Sequence, residues 1–226
     1  MRHVRALLAA LLLALPAAAH ANDLDQDIEL SGLAGLYSSS SKISGNAADK
    51  VGKPGPLLGF RYVYNLDTWL GAGFQVDVAK PGAHDSTKLL TNNISTTKLL
   101  TGEALVLGRV RFLQNQFRPY VMLGLGVHST SLRLDSKPAP GFFWNDTGTT
   151  ETRTLVNSRK MGIAVAFEGG FDYHFTNTVS AGTFLAIHSA GKASYAATAA
   201  GTAAGLTGVK GSFLGMVLGA SLTGRF

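Results

Sequence analysis

The sequence predicts an all-β chain: an eight-stranded antiparallel up-and-down transmembrane β-barrel preceded by a cleaved signal peptide. Three features carry that expectation. The chain opens on an apolar leader, eight runs of period-2 alternation follow, and short connectors alternate with long ones. Composition agrees. Charged residues make up 15% of the 226 positions, against roughly 25% in a soluble domain. Hydrophobic residues make up 46%, so the outer surface has little need of charge.

The leader has the layout of a secretory signal. Arg2, His3 and Arg5 form a basic start, Ala6 to Leu15 an apolar stretch, and Ala19-His20-Ala21 a small-residue cleavage motif. The apolar run falls short of the ~20 residues a spanning helix needs. The expected division is therefore a signal peptide over 1–21 and a barrel domain over 22–226. Removing Arg2 and Arg5 lowers the net charge from +6 to +4. That balance suits anionic lipid phosphates, and the absence of a basic stripe argues against nucleic acid. With no cysteine, disulfides and thiolate metal sites are excluded. No second run of 18 apolar residues follows Ala21, so a membrane-spanning form must be a closed barrel, because lipid offers no partner for open strand edges.

The strands follow in order, apolar positions first and their opposing positions second. Strand one sets Ile28, Leu30, Ala34 and Leu36 against Glu29, Ser31, Leu33 and Tyr37. Strand two sets Leu58, Phe60, Tyr62 and Tyr64 against Gly59, Arg61, Val63 and Asn65. Strand three sets Leu70, Phe74, Val76 and Val78 against Gly71, Gln75 and Asp77. Strand four sets Ala104, Val106, Val110 and Phe112 against Glu103, Leu105, Leu107, Arg109 and Arg111. In strand five Val121, Leu123, Leu125 and Val127 oppose Met122, Gly124 and His128. In strand six Ile163, Val165, Phe167, Phe171, Tyr173 and Phe175 oppose Ala164, Ala166, Glu168, Asp172 and His174. In strand seven Val179, Ala181, Leu185 and Ile187 oppose Ser180, Ala186 and His188. In strand eight Leu214, Met216, Leu218, Leu222 and Phe226 oppose Gly215, Ser221, Thr223 and Arg225. A helical stripe would recur at three and four instead. Each run approaches the 9–11 residues of a tilted transmembrane strand.

Short connectors fall at Leu66-Asp67-Thr68, near Gln114-Asn115-Gln116, and at Thr176-Asn177-Thr178. Long ones cover roughly 38–56, 81–100, 136–158 and 190–211. Periplasmic turns and extracellular loops alternate in this way. Tyr62, Tyr64, Phe112, Phe117, Tyr173, Phe175 and Phe226 then fall together at the short-turn end as an interfacial girdle.

The chain resembles the small outer-membrane barrels of the opacity-protein and OmpX-like kind. The residues behind the resemblance are the leader, the eight strands, the strand-turn Phe171-Asp172-Tyr173-His174-Phe175-Thr176-Asn177 and the terminal Leu222-Thr223-Gly224-Arg225-Phe226. The resemblance implies residence in the outer membrane and a terminal Phe226 read by the barrel-assembly machinery. Gly224 departs from the bulky residue usual in that signal.

Inward positions collect Glu29, Arg61, Asp77, Glu103, Arg109, Arg111, Glu168, Asp172, His174 and Arg225. Eight strands enclose a space just wide enough for side chains. These charges are expected to pair as a plug, with Glu103 and Glu168 the expected partners of Arg109 and Arg111. Enzymatic chemistry finds little support. The lipid A deacylases carry His-x-Ser-Asn, and the nearest match here, His174-Phe175-Thr176-Asn177, has Thr in the nucleophile's place, with no acid after Asp172 to orient a histidine. His188 and Ser189 point to opposite faces of a strand. The histidines are scattered, with no ligand spacing on any one loop, so neither metal nor cofactor is expected.

In the second long loop, Thr87-Lys88-Leu89-Leu90-Thr91 and Thr97-Lys98-Leu99-Leu100-Thr101 form an imperfect repeat. In the third, Phe142-Phe143-Trp144 form a candidate contact patch. The fourth, rich in Ala, Gly and Thr, is expected to be flexible. Together these features favour a monomeric, non-enzymatic surface barrel acting in envelope integrity, adhesion or surface interaction. Its expected partners are outer-membrane lipids and lipopolysaccharide. A narrow pore for small or hydrophobic solutes is the alternative, and a lipid A-modifying enzyme a more distant one.

Overall fold

Alternation becomes pairing in the computed structural model, which describes residues 28–39, 42–44, 48–50, 52–113 and 116–226. The expected signal peptide, together with Gln114 and Asn115 of the second short turn, lies outside the described residues. The strands are β1 (Ile28–Ser39), β2 (Lys42–Ser44), β3 (Ala48–Lys50), β4 (Gly55–Asn65), β5 (Leu70–Ala79), β6 (His84–Ser86), β7 (Asn93–Arg111), β8 (Phe117–Pro138), β9 (Arg153–His174), β10 (Val179–Tyr195) and β11 (Val209–Arg225). A short helix, α1, spans Ala199–Ala203.

Eight of these strands form a ring in the order β1-β4-β5-β7-β8-β9-β10-β11, and β11 closes back onto β1. Every neighbour in the ring is antiparallel. The seam is completed by reciprocal backbone bonds between Ile28 and Phe226, at 3.0 and 2.9 Å. No ring strand is left as an unpaired edge, which is what a hydrocarbon environment demands. Outside the ring, β2 pairs with β11 and β3, and β6 with β7.

All eight inward and outward assignments read from the sequence hold. Leu36, Leu58, Val106, Leu123, Leu125, Ile163, Phe167, Leu185, Leu218 and Leu222 are exposed on the outer face. Glu29, Arg61, Asp77, Glu103, Arg109, Glu168 and His188 are buried inside. At the short-turn end the expected girdle forms, with Tyr62 stacked on Phe74 at 5.3 Å and Tyr173 edge-on to Phe175 at 5.2 Å.

The strands run further than the sequence suggested: β8 and β9 each reach 22 residues, about twice what the membrane requires. Beyond the apolar belt the hydrophobic pattern inverts its phase. Leu123, Leu125 and Val127 point outward on β8, whereas Leu132 and Leu134 point inward. On β11 Leu214 and Met216 face out, and Val209 and Phe213 face in. The inward set forms an apolar core at the long-loop end, where Ile43, Leu89, Leu99, Leu132, Leu134, Trp144, Leu155, Tyr195, Leu206, Val209 and Phe213 pack together. We call this part the cap.

The cap corrects one expectation. The fourth loop is ordered: β10 continues to Tyr195, α1 follows with Thr198 accepting from the Gly201 amide at 3.1 Å, and Leu206 is buried. Small side chains there allow close packing over the barrel mouth, and their low hydrophobicity concealed it. The two repeat copies also differ in structure. The first lies in the loop with Leu89 and Leu90 buried, and the second belongs to β7 with Leu99 in and Leu100 out.

Candidate functional site

The densest polar chemistry lies in the lumen, and period-2 geometry places it there. Every second residue of a ring strand must enter a space filled by side chains alone. Glycine makes room for the largest of them: a Cβ at Gly215 would collide with the Tyr37 ring, and one at Gly219 with the Phe184 ring.

Near the short-turn end, Glu29 of β1 gathers three arginines. Arg109 Nη2 donates to Oε2, while Arg111 Nη2 and Arg225 Nη2 donate to Oε1 at 2.6 and 2.8 Å. Asn65 Nδ2 also reaches Oε1, at 3.2 Å, and the Asn65 carbonyl oxygen accepts from Arg109 at 3.2 Å and from Arg111. Asp172 lies at the same end and accepts from Ser221 Oγ at 3.4 Å. His174 is partly exposed at the rim.

One layer further in, Arg61 Nη2 meets Glu168 Oε2 at 2.6 Å. Tyr120 donates to the other Glu168 oxygen at 2.8 Å, and the guanidinium lies 5.6 Å from the centre of the Phe184 ring. Arg61 Nε donates to Gln75 Oε1 at 2.8 Å, and Gln75 Nε2 donates to Asp77 Oδ2 at 2.9 Å. Gln75 thereby links this pair to the next layer, where His188 Nδ1 lies 2.7 Å from Glu103 Oε2.

The pairing differs from the one expected. Arg109 and Arg111 take Glu29 rather than Glu103 or Glu168; Glu168 takes Arg61, and Glu103 takes His188. Parity fixes the face of each side chain, but its height in the barrel depends on strand stagger, which no single strand reveals. Asn65, Gln75, Tyr120 and His188 were missed as network members although alternation points all of them inward. They were passed over because they carry no fixed charge.

The loop patch is also corrected. Phe142 and Phe143 are exposed, at 45% and 60%, but Trp144 is only 5% exposed and belongs to the cap. Its indole N–H donates to the Glu151 carbonyl at 2.7 Å, and Arg153 lies 4.7 Å from the centre of its ring. Arg153 in turn binds Asp146 at 2.8 Å. The tryptophan therefore anchors the third loop, with two phenylalanines left on its surface.

The sequence model of the outer membrane protein beta-barrel domain matches residues 7–219. The chain belongs to that family. Among solved structures, this outer-membrane barrel is similar to Neisserial surface protein A, with a TM-score of 0.52 and 16% identity over 88% of this chain and 97% of that one. OprG from Pseudomonas aeruginosa aligns at 18% identity and a TM-score of 0.46, covering 88% and 95%. Ail, the attachment invasion locus protein of Yersinia pestis, aligns at 13% and 0.41, covering 88% and 99%. No curated protein sequence matches the chain. Membership places the barrel in the outer membrane. There the short turns face the periplasm and the cap faces outward.

Proposed function

We propose that this outer-membrane barrel is a non-enzymatic surface protein with a closed lumen, acting in envelope integrity, adhesion or surface interaction through its extracellular side. One observation carries the reading: the axis is obstructed twice, by the Glu29 and Arg61 networks inside and by the apolar cap above them. A conduit would need a continuous wet path, whereas here the strand ends converge on leucine, tyrosine and tryptophan. Catalytic chemistry is equally poorly served. His188 is buried while its neighbour Ser189 is on the outer face, and His174 sits at the periplasmic rim beside Thr176.

The exposed Phe142 and Phe143 are the contact residues of this proposal, in line with aromatics on a supported loop. Lys98 and Arg133, whose side chains are about half-exposed and share Asp135, offer cations to lipopolysaccharide phosphates. Phe226 at the seam is the residue offered to the assembly machinery during insertion. With its ring closed, the protein is proposed to act as a monomer among lipids, and to bind neither an organic cofactor nor nucleic acid.

Planar-bilayer recording of refolded protein tests the closed lumen. Conductance is expected at the level of the bare bilayer over hours. Stable, ohmic steps from wild-type protein would overturn the proposal in favour of a narrow pore for small or hydrophobic solutes.

A further inference from the structure

Three lumenal side chains, Asp77, Glu103 and His188, converge in one layer of the barrel. Asp77 and Glu103 are direct cross-strand neighbours on β5 and β7, both pointing inward. Like charges so placed repel, yet the lumenal arginines are directed elsewhere, Arg61 to Glu168 and Arg109, Arg111 and Arg225 to Glu29. What faces the two acids is His188, reaching across from β10. One ligand atom from each of Asp77, Glu103 and His188 lies within 4.8 Å of the other two, and all three residues are buried. His128, cross-strand from Glu103 on β8, is buried in the same layer.

We propose that Asp77, Glu103 and His188 form a lumenal binding site for a first-row divalent cation such as Zn²⁺ or Mn²⁺. Local charge is compatible with a metal: a dication bound by two carboxylates and a neutral imidazole leaves no net charge at the site. The donor set is also the right chemical kind. Mixed imidazole and carboxylate ligands suit zinc, manganese and iron(II), whereas calcium and magnesium take oxygen alone. The 2.7 Å contact between His188 Nδ1 and Glu103 Oε2 opens to roughly 3 Å around a metal with bonds near 2.0–2.2 Å. On binding, the proton held between these two atoms leaves to solvent.

The surroundings fit a coordination sphere. Gln75 Nε2 donates to Asp77 Oδ2, orienting that carboxylate, and its own carbonyl is held by Arg61. Such outer bonds hold first ligands in place. A small cavity lined in part by Gln75, Met122, Glu168 and His188 lies beside the imidazole. The ion would tie β5 and β7 to β10 on the opposite wall, a cross-brace in a chain that has no cysteine for a disulfide.

The test is calorimetric titration of untagged, chelator-stripped, refolded protein in detergent micelles with Zn²⁺ and Mn²⁺, beside thermal unfolding. One equivalent should bind and the unfolding temperature should rise. Glu103→Gln and His188→Gln should each weaken affinity by at least about tenfold. His84→Ala, at the loop end, should leave it unchanged. Variants that do not fold leave a decisive wild-type measurement: X-ray absorption of zinc-loaded protein should show one imidazole, or two if His128 joins, with the remaining ligands oxygen. Absence of wild-type binding at tens of micromolar metal overturns the site. So does a shell without imidazole, or affinity retained in folded Glu103→Gln. Any of these outcomes leaves the closed lumen standing, since Glu29 and Arg61 obstruct the axis without the ion.

Discussion

Glu29 shows how a single buried carboxylate governs the charge of a lumen. Three guanidinium groups and an amide converge on its two oxygens, so Glu29→Gln keeps the shape and leaves three like charges crowded together. Stability should fall by about 3–5 kcal/mol, the usual consequence of breaking a buried pair from one side. Denaturant unfolding in lipid vesicles measures it as a lowered midpoint. Adding Arg109→Gln to Glu29→Gln should recover part of the loss by removing one of the repelling cations. An unchanged midpoint in Glu29→Gln would mean that water already solvates these arginines. At this scale the sequence was legible for faces and not for partners. Glu29 and Arg109 lie 80 positions apart, and their meeting depends on the cumulative stagger of the intervening strands. The same limit hid the convergence of Asp77, Glu103 and His188, whose ligand types were visible while their shared height was not.

Strands obey a simple rule within the membrane and its opposite outside it. On β11, Leu218 is 64% exposed and Ser221 is 5% exposed, so one faces lipid and the other the lumen. Leu218→Arg should therefore destabilise by about 2–4 kcal/mol in a bilayer, as a cation near the midplane does. Ser221→Arg should act differently, by crowding Asp172, which accepts from Ser221 Oγ. It should also lose less in detergent titrations, since that position never meets hydrocarbon. Equal losses at both positions would mean the register is wrong, because a slip of one residue exchanges the faces. Alternation made these strands legible wherever lipid lay outside. Where water lies outside, polar residues move to the outer face and apolar ones to the inner. The run around Leu99 therefore fell out of phase and read as loop, and Leu132 and Leu134 fell beyond the alternation that ended at His128. The inversion itself marks where each strand leaves the hydrocarbon, between Val127 and Leu132 on β8 and between Phe213 and Leu214 on β11.

The whole molecule thus consists of two cores on one ring of strands, one within the membrane that combines ion-pair networks with small apolar clusters, and an apolar one above it. Buried ion pairs distinguish the first, and the second rests on hydrophobic burial against water. Trp144 is the place to separate them, because it fills the cap, donates to Glu151 O and carries Arg153 against its face, yet lies far in structure from Glu29 and Arg61. Trp144→Ala removes a buried aromatic whose loss from a core typically costs about 3–5 kcal/mol. That loss should be confined to the cap. Trypsin should then cut faster at Arg153, at the end of the third loop, while the folded barrel keeps its heat-sensitive mobility on gels. Bilayer conductance should stay at background, because the lumenal networks still obstruct the axis. If the variant instead loses its folded mobility at a lower temperature along with the loop, the two cores unfold as one cooperative unit. In that case the strand extensions stabilise the membrane barrel as well as display its loops.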